Sequence, residues 1–161
     1  MTTNEAIEIL LVEDNPADVE LTLHALNQHQ LANNIYVARD GEEALDFLFS
    51  RGKFQDRKLQ TPPRIVLLDL KLPKVDGLGV LRTVKSDLRT RAIPIVILTA
   101  SREEKDMVEG YSLGVNSYIQ KPVDFDNFRQ TVRQLGLYWL LVNMPPPNAA
   151  FITTAAETNK S

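Results

Sequence analysis

The chain has 161 residues, which corresponds to one domain of ordinary size and leaves little over for a second. Its 18 Lys and Arg residues and 21 Asp and Glu residues give a net charge of −3, too acidic and too evenly mixed for a protein that coats nucleic acid or a membrane surface. The lack of cysteine excludes disulfides, thiol nucleophiles and thiolate metal sites, and it is typical of a cytoplasmic protein. With no signal-peptide pattern and no apolar run longer than residues 137–142, we expect neither secretion nor membrane spanning.

Five apolar runs of strand length alternate with segments of helical period along the chain. They lie at residues 7–12, 34–38, 65–68, 95–98 and 115–120. The first, third and fourth runs are apolar almost throughout, as expected for strands that helices cover on both faces. The alternation predicts an α/β fold with a doubly wound, five-stranded parallel sheet in the flavodoxin-like strand order 2-1-3-4-5.

The predicted helices have recognisable ends. Asn15 and Pro16 suit the N-cap and first position of the first helix, and Ser101 with Glu104 matches a capping box. The last helix is predicted to continue through the apolar run 137–142. Because this run is apolar all round and one helix face cannot bury it, we expect a homodimer built on the last helix and the C-terminal tail.

Some other polar residues are assigned ordinary structural roles. The pairs Asp40-Gly41 and Asp76-Gly77 are typical of turns. Asp18, one turn into the first helix, is expected to complement the helix dipole.

Polar residues follow the core strands at the points where the apolar runs stop. Glu13 and Asp14 follow the first strand, Asp69 the third, Thr99 the fourth and Lys121 the fifth. In an open α/β sheet these carboxyl ends meet at the topological switch point, where ligands bind. The sequence therefore predicts that three carboxylates, one hydroxyl and one ammonium converge at one edge of the sheet.

The chemistry of this set favours a metal ion and a phosphoryl group. Neighbouring carboxylates need a cation to stay ionised together, and an all-oxygen site favours Mg²⁺, which leaves a position open for a phosphate oxygen. Lys121 and Thr99 suit the other phosphoryl oxygens. Asp69, at the end of the central strand, is the candidate nucleophile that would form an aspartyl phosphate.

The order and context of these residues resemble the receiver domain of two-component response regulators, the CheY-like proteins. The matching segments are ILLVEDN at 9–15, LLDLKLPKVDG at 67–77, ILTA at 97–100 and YIQKP at 118–122. The resemblance implies that Asp69 is the phosphoacceptor and that Glu13 and Asp14 form an acidic pocket for Mg²⁺. It also implies that the backbone carbonyl of Lys71 completes the metal site together with Asp69.

The same resemblance implies roles around the phosphoryl group. Thr99 and Lys121 would bind it, Thr99 and Tyr118 would form the switch, and the bond between Lys121 and Pro122 is expected to be cis. On β-propensity alone, Tyr118 could equally be an ordinary edge-strand aromatic. The Lys71 side chain, two residues after the phosphoacceptor, could reach the phosphoryl group or the attacking water.

The implied function is that of a single-domain response regulator. Residues 5–142 would form the receiver, and the Pro-rich tail at 143–161 is too short for an effector domain. Such a protein accepts a phosphoryl group from a sensor histidine kinase, catalyses only its own phosphorylation and dephosphorylation, and signals by altered protein contacts.

A narrower resemblance concerns the partner. Residues 13–18, the insert at 51–63, residues 70–77 and the ending at 138–140 are similar to stand-alone regulators paired with bacterial and cyanobacterial phytochromes. The resemblance implies a phytochrome as the sensor kinase. The charge, the lack of cysteine and the lack of a signal or membrane segment predict a cytoplasmic protein without nucleic-acid or membrane partners.

Three alternative functions fit the sequence less well. A Mg²⁺-dependent aspartyl-phosphate hydrolase also uses an aspartate nucleophile, but those enzymes carry it after the first strand as Asp-x-Asp, where this chain reads EDN at 13–15. A flavin- or nucleotide-binding module needs a glycine-rich loop after the first strand, and the nearest following glycine is Gly41. A non-phosphorylated scaffold receiver is the third alternative, and the intact set of site residues argues against it.

Overall fold

A computed structural model describes residues 8–27, 34–57, 62–110 and 113–137. Within these ranges five parallel strands form one sheet in the order β2-β1-β3-β4-β5, which confirms the predicted fold class and strand order. The strands are β1 (Ile9–Val12), β2 (Ile35–Ala38), β3 (Ile65–Asp69), β4 (Ile95–Thr99) and β5 (Ser117–Gln120). The strands β3 and β4 each extend one residue beyond the predicted apolar run, so that Asp69 and Thr99 belong to the sheet.

Five α-helices pack on the two faces of this sheet. They are α1 (Pro16–Asn27), α2 (Gly41–Leu48), α3 (Gly77–Ser86), α4 (Arg102–Gly110) and α5 (Phe125–Gln134), with a short 3₁₀ helix at Gly52–Phe54. Alternate strand residues face opposite core clusters: Leu10 packs with α2, α3 and α4, whereas Leu11 packs with α1 and α5. Both faces of the central strands are therefore buried, as their continuous apolar runs predict. None of the helices in the described ranges has the length and apolar character needed to cross a membrane.

The two Asp-Gly pairs are helix N-termini, so their assignment as turns is wrong. The carboxylates of Asp40 and Asp76 each accept a hydrogen bond from the backbone N–H three residues later, at 2.7 and 2.8 Å, and so cap α2 and α3. A Cβ atom at Gly77 would lie 2.4 Å from the carbonyl oxygen of Asp69 and 2.6 Å from Cα of Leu70. Glycine at position 77 thus lets α3 begin directly against the end of β3.

The predicted continuation of the last helix is also wrong, because α5 ends at Gln134. Gly136 takes the left-handed conformation with φ of 73°, and its N–H donates to the carbonyl three residues earlier at 3.0 Å. The N–H of Leu137 donates to the carbonyl of Val132 at 2.9 Å, which completes a Schellman motif. Leu137 then turns back into the core and is only 7% exposed, while residues 138–161 lie outside the described ranges.

Replacing Gly136 with Ala should lower the free energy of unfolding by about 1 kcal/mol, because an L side chain is strained at this φ. Apart from the adjoining residues, no atom in the described ranges lies within 4 Å of a Cβ built at this position, so the loss reflects the backbone conformation. Urea denaturation measures it, and Gly136→Asn is the matched control because Asn tolerates the left-handed region better. Equal stability of the wild type and the Ala variant would contradict this helix end.

Candidate functional site

The carboxyl ends of β1, β3 and β5 bring four charged residues to one open cavity of about 420 Å³. Glu13 and Asp14 follow β1, Asp69 is the last residue of β3, and Lys121 follows β5. Parallel pairing of Val12 with the residue before Asp69 sets the ends of β1 and β3 side by side. The predicted convergence of these four side chains is therefore present in the structure.

The Lys121 ammonium lies at the centre of the ion pairs in this cavity. Its Nζ is 2.9 Å from Asp69 Oδ1, 3.0 Å from Glu13 Oε1 and 3.1 Å from Asp18 Oδ2. Burial opposes the charge, but the attraction of the three carboxylates outweighs it and raises the pKa of Lys121 above its usual value. Lys121 is therefore a permanent cation at neutral pH.

Burial has the larger effect on the two innermost acids. It raises the pKa of both Glu13 and Asp69, although Lys121 acts in the opposite direction on each. A neighbouring carboxylate adds to the rise in both cases, Asp69 for Glu13 and Asp14 for Asp69. The negative charge of the site thus exceeds what Lys121 alone neutralises.

The donor set fits a divalent metal ion. Glu13, Asp14 and Asp69 each offer a carboxylate oxygen, and these oxygens lie within 4.8 Å of one another. In the described part of the chain Glu13 Oε1 is buried without a well-aligned hydrogen bond, although the Lys121 ammonium is close to it. Hard divalent ions prefer such oxygen ligands, and a bound cation would satisfy this buried atom.

Thr99 and Lys71 take different positions relative to the cavity. Thr99 ends β4 and is buried, but the following residue, Ala100, is the one that lines the cavity. Lys71 lies on the cavity wall with its side chain 84% exposed and its Nζ 3.5 Å from Oε2 of Glu104. Its side chain therefore points across the cavity mouth towards α4.

Tyr118 lies away from the cavity. It pairs with Ile97 across β4 and β5, packs against the core cluster beneath α4, and lines a second cavity of about 270 Å³ with Val108 and Leu113. Burial raises the pKa of its phenol, with a further contribution from the nearby charge of Glu109. The bond between Lys121 and Pro122 is cis, as predicted.

Two acidic residues of the cavity were not predicted as part of the site. Asp18, assigned only to the helix dipole, directs its carboxylate at Lys121. Its position follows from the N-cap: Asn15 Oδ1 accepts the Asp18 N–H at 3.0 Å, so the first turn of α1 begins at the edge of the cavity. Glu104, predicted as the capping-box partner of Ser101, donates its N–H to Ser101 Oγ as expected. Its side chain accepts the N–H of Ala100 instead of that of Ser101, and it lines the cavity.

Comparison with known proteins agrees with this geometry. Residues 9–133 match the family model described as the response regulator receiver domain. The chain belongs to this family. It is 44% identical over 138 residues to the probable methanogenesis regulatory protein FilR2 of Methanothrix harundinacea, which covers 86% of each chain. It is 36% identical over 132 residues to the response regulator Rcp1 of Synechocystis, which covers 82% of this chain and 88% of Rcp1.

Solved structures give the same relationship. The bacteriophytochrome response regulator AtBRR is 51% identical with a TM-score of 0.79, covering 94% of this chain and 100% of AtBRR. The Mn²⁺-bound form of Rcp1 is 32% identical with a TM-score of 0.64, covering 91% of this chain and 98% of that chain. The protein is therefore a receiver domain of two-component signalling related to phytochrome response regulators, in a family that binds a divalent metal.

Adding Mg²⁺ or Mn²⁺ should raise the melting temperature, because the ion binds the folded protein and relieves repulsion among Glu13, Asp14 and Asp69. Asp14→Asn should weaken metal binding by about tenfold or more, since it removes one exposed ligand without opening the core. Calorimetric titration measures the affinity, with Asp106→Asn on the exposed side of α4 as the control. Equal affinity of the Asp14 variant and the wild type would refute this metal site.

Proposed function

We propose that this receiver accepts a phosphoryl group on Asp69 from a sensor histidine kinase in a Mg²⁺-dependent step. The observation that carries the proposal is the 2.9 Å contact between Asp69 and Lys121 in a cavity shared with Glu13 and Asp14. A nucleophilic carboxylate beside a fixed cation and a metal-binding acid pair is the arrangement that phosphoryl transfer needs.

The chemical step forms one bond and breaks one. A carboxylate oxygen of Asp69 attacks the phosphorus of a phosphohistidine, and the bond between phosphorus and nitrogen breaks with its electron pair leaving on the imidazole. Lys121 loses one of its three carboxylate partners when the Asp69 carboxylate becomes an acyl phosphate, so its ammonium can turn to a phosphoryl oxygen at that position. Bound Mg²⁺, held by Glu13, Asp14, Asp69 and the carbonyl of Lys71, would neutralise further charge on the phosphoryl oxygens.

The switch is proposed to run from Thr99 to Tyr118. Thr99 would donate its hydroxyl to the phosphoryl group, and its strand β4 pairs directly with β5, which carries Tyr118. The Tyr118 ring borders the cavity beneath α4 together with Val108, so there is space for the ring to change position. Phosphorylation would thereby alter the surface around α4 and β5 that partners contact.

The proposed donor is a phytochrome-type histidine kinase, and the proposed unit is a single-domain regulator. AtBRR, at 51% identity, is described as a bacteriophytochrome response regulator, which supports the first point. The second is supported by coverage, because the match spans 86% of FilR2 and 100% of AtBRR. We propose that residues 5–142 form the receiver and residues 143–161 a tail. The part of the insert that the structure describes, residues 51–57, packs with the receiver, because Phe54 lies edge-on against Tyr36 and Phe47.

Incubation with acetyl phosphate and Mg²⁺ should add one phosphoryl group to the wild type, and intact-mass spectrometry measures the gain. Asp69→Asn should abolish it, because an amide oxygen is not a competent nucleophile for this step. The matched control, Asp126→Asn, removes an exposed carboxylate from α5 and should phosphorylate normally. A full gain of mass in the Asp69 variant would refute the assignment.

We also propose a homodimer that uses α5 and the C-terminal tail. The outer face of α5 is polar, with Asp126, Gln130 and Arg133 exposed, so the apolar contacts would come from residues 138–142, outside the described ranges. Sedimentation velocity at tens of micromolar protein should show a dimer, and Trp139→Ala should shift it towards monomer by about tenfold or more in Kd. A wild type that stays monomeric at every concentration would contradict the proposal.

A further inference from the structure

The cavity contains two carboxylates that the proposed function does not use, Asp18 beside Lys121 and Glu104 in the first turn of α4. Glu104 is the one that contacts other donors of the cavity wall. Its Oε1 accepts a hydrogen bond from the backbone N–H of Ala100 at 2.8 Å, and its Oε2 lies 3.5 Å from the Lys71 ammonium. The Glu104 side chain is only 16% exposed. All three residues line the same cavity as Asp69 and Lys121.

The groups that Glu104 contacts are those that a phosphoryl group binds. A phosphoryl group on Asp69 carries nearly two negative charges and three strong acceptor oxygens. Lys121 can pair with one side of it. The N–H of Ala100 and the ammonium of Lys71 are further donors on the cavity wall, and in this structure Glu104 accepts from the first and pairs with the second.

The negative charge of the cavity opposes its holding both the Glu104 carboxylate and a phosphoryl group next to Ala100 and Lys71. Besides Asp69, the cavity holds the carboxylates of Glu13, Asp14 and Asp18, and Glu104 adds a further negative charge at its mouth. A phosphoryl group on Asp69 would share this cavity with the Glu104 carboxylate and repel it, because partly buried charges are poorly screened. The phosphoryl group can bind Ala100 and Lys71 only if Glu104 moves away.

We infer that Glu104 is an internal competitor of the phosphoryl group. It holds the Ala100 N–H and the Lys71 ammonium in the unphosphorylated protein and releases them when Asp69 is phosphorylated, an inference that rests on the proposed function of Asp69. The backbone of Glu104 also takes part in the N-terminal cap of α4, because its N–H donates to Ser101 Oγ at 3.2 Å. Release of its side chain would remove the hydrogen bond that joins the first turn of α4 to Ala100 and would so link the state of Asp69 to that helix.

The test measures the affinity for a phosphoryl mimic, beryllium trifluoride with Mg²⁺, from bound and free signals in ¹⁹F NMR. Glu104→Ala should bind the mimic about threefold to tenfold more tightly than the wild type, the range expected for removing one competing hydrogen bond and charge. Glu104→Gln should fall between them, because the amide keeps the contact with Ala100 but loses the charge.

Ser101→Ala is the matched control, because it removes the other hydrogen bond of the same helix cap. It should lower the melting temperature by about as much as Glu104→Ala and leave the affinity for the mimic unchanged. Tighter binding in the Ser101 variant equal to that in Glu104→Ala would show that helix capping alone sets the affinity and would overturn the proposal. Glu104 variants that bind no more tightly than the wild type would also overturn it.

The Asp69→Asn variant separates this proposal from the one on which it rests. Loss of all binding in that variant, with Glu104 variants equal to the wild type, would refute the role of Glu104 and leave the phosphoacceptor intact. Binding that survives Asp69→Asn, or a wild type that does not bind the mimic, would refute the proposed function and with it this role of Glu104.

Discussion

The Lys121 ammonium connects separate parts of the chain at the carboxyl edge of the sheet. It lies within 3.1 Å of carboxylate oxygens from Glu13 after β1, Asp18 in α1 and Asp69 at the end of β3. Glu13 is almost completely buried, so its charge has little access to water and depends on this cation. The carboxylates of Glu13, Asp18 and Asp69 therefore converge on one shared ammonium.

Negative charges outnumber positive charges in this network, and the excess suits the site to bind a cation. One ammonium faces three carboxylates, with Asp14 beside them, and burial already raises the pKa of Glu13 and Asp69. A divalent cation would correct the excess, and a phosphoryl group on Asp69 would replace the charge that this carboxylate loses. In the unphosphorylated protein, donors on the cavity wall are bound by the protein's own carboxylates, Asp18 on Lys121 and Glu104 on Ala100. Phosphorylation would exchange these partners.

Much of the fold could be predicted from the sequence, because the strands that are buried on both faces have continuous apolar runs that turn-forming and polar residues end. The position of Asp69 follows from the same rule, since it is the first polar residue after such a run. The end of α5 was missed although Gly136 marks it, because the apolar run beyond it suggested a longer helix. Leu137 is apolar because it turns back into the core of its own chain.

The part of the site that the sequence did not reveal depends on the direction of side chains across elements. Asp18 and Glu104 lie in first helical turns, where an acidic residue is ordinarily explained by the dipole or the cap. Only the placement of α1 and α4 at the cavity edge shows that Asp18 contacts Lys121 and that Glu104 contacts both Ala100 and Lys71.

The most direct test of the account locates the phosphoryl group in the chain. Reduction of the phosphorylated protein with borohydride converts an aspartyl phosphate to homoserine, and tandem mass spectrometry of the peptides then identifies the position. The account predicts homoserine at position 69 alone. Homoserine at position 14 or 18 instead, or a stable label on a residue outside the cavity, would contradict the assignment of Asp69 as the group that Lys121 and the metal-binding acids serve.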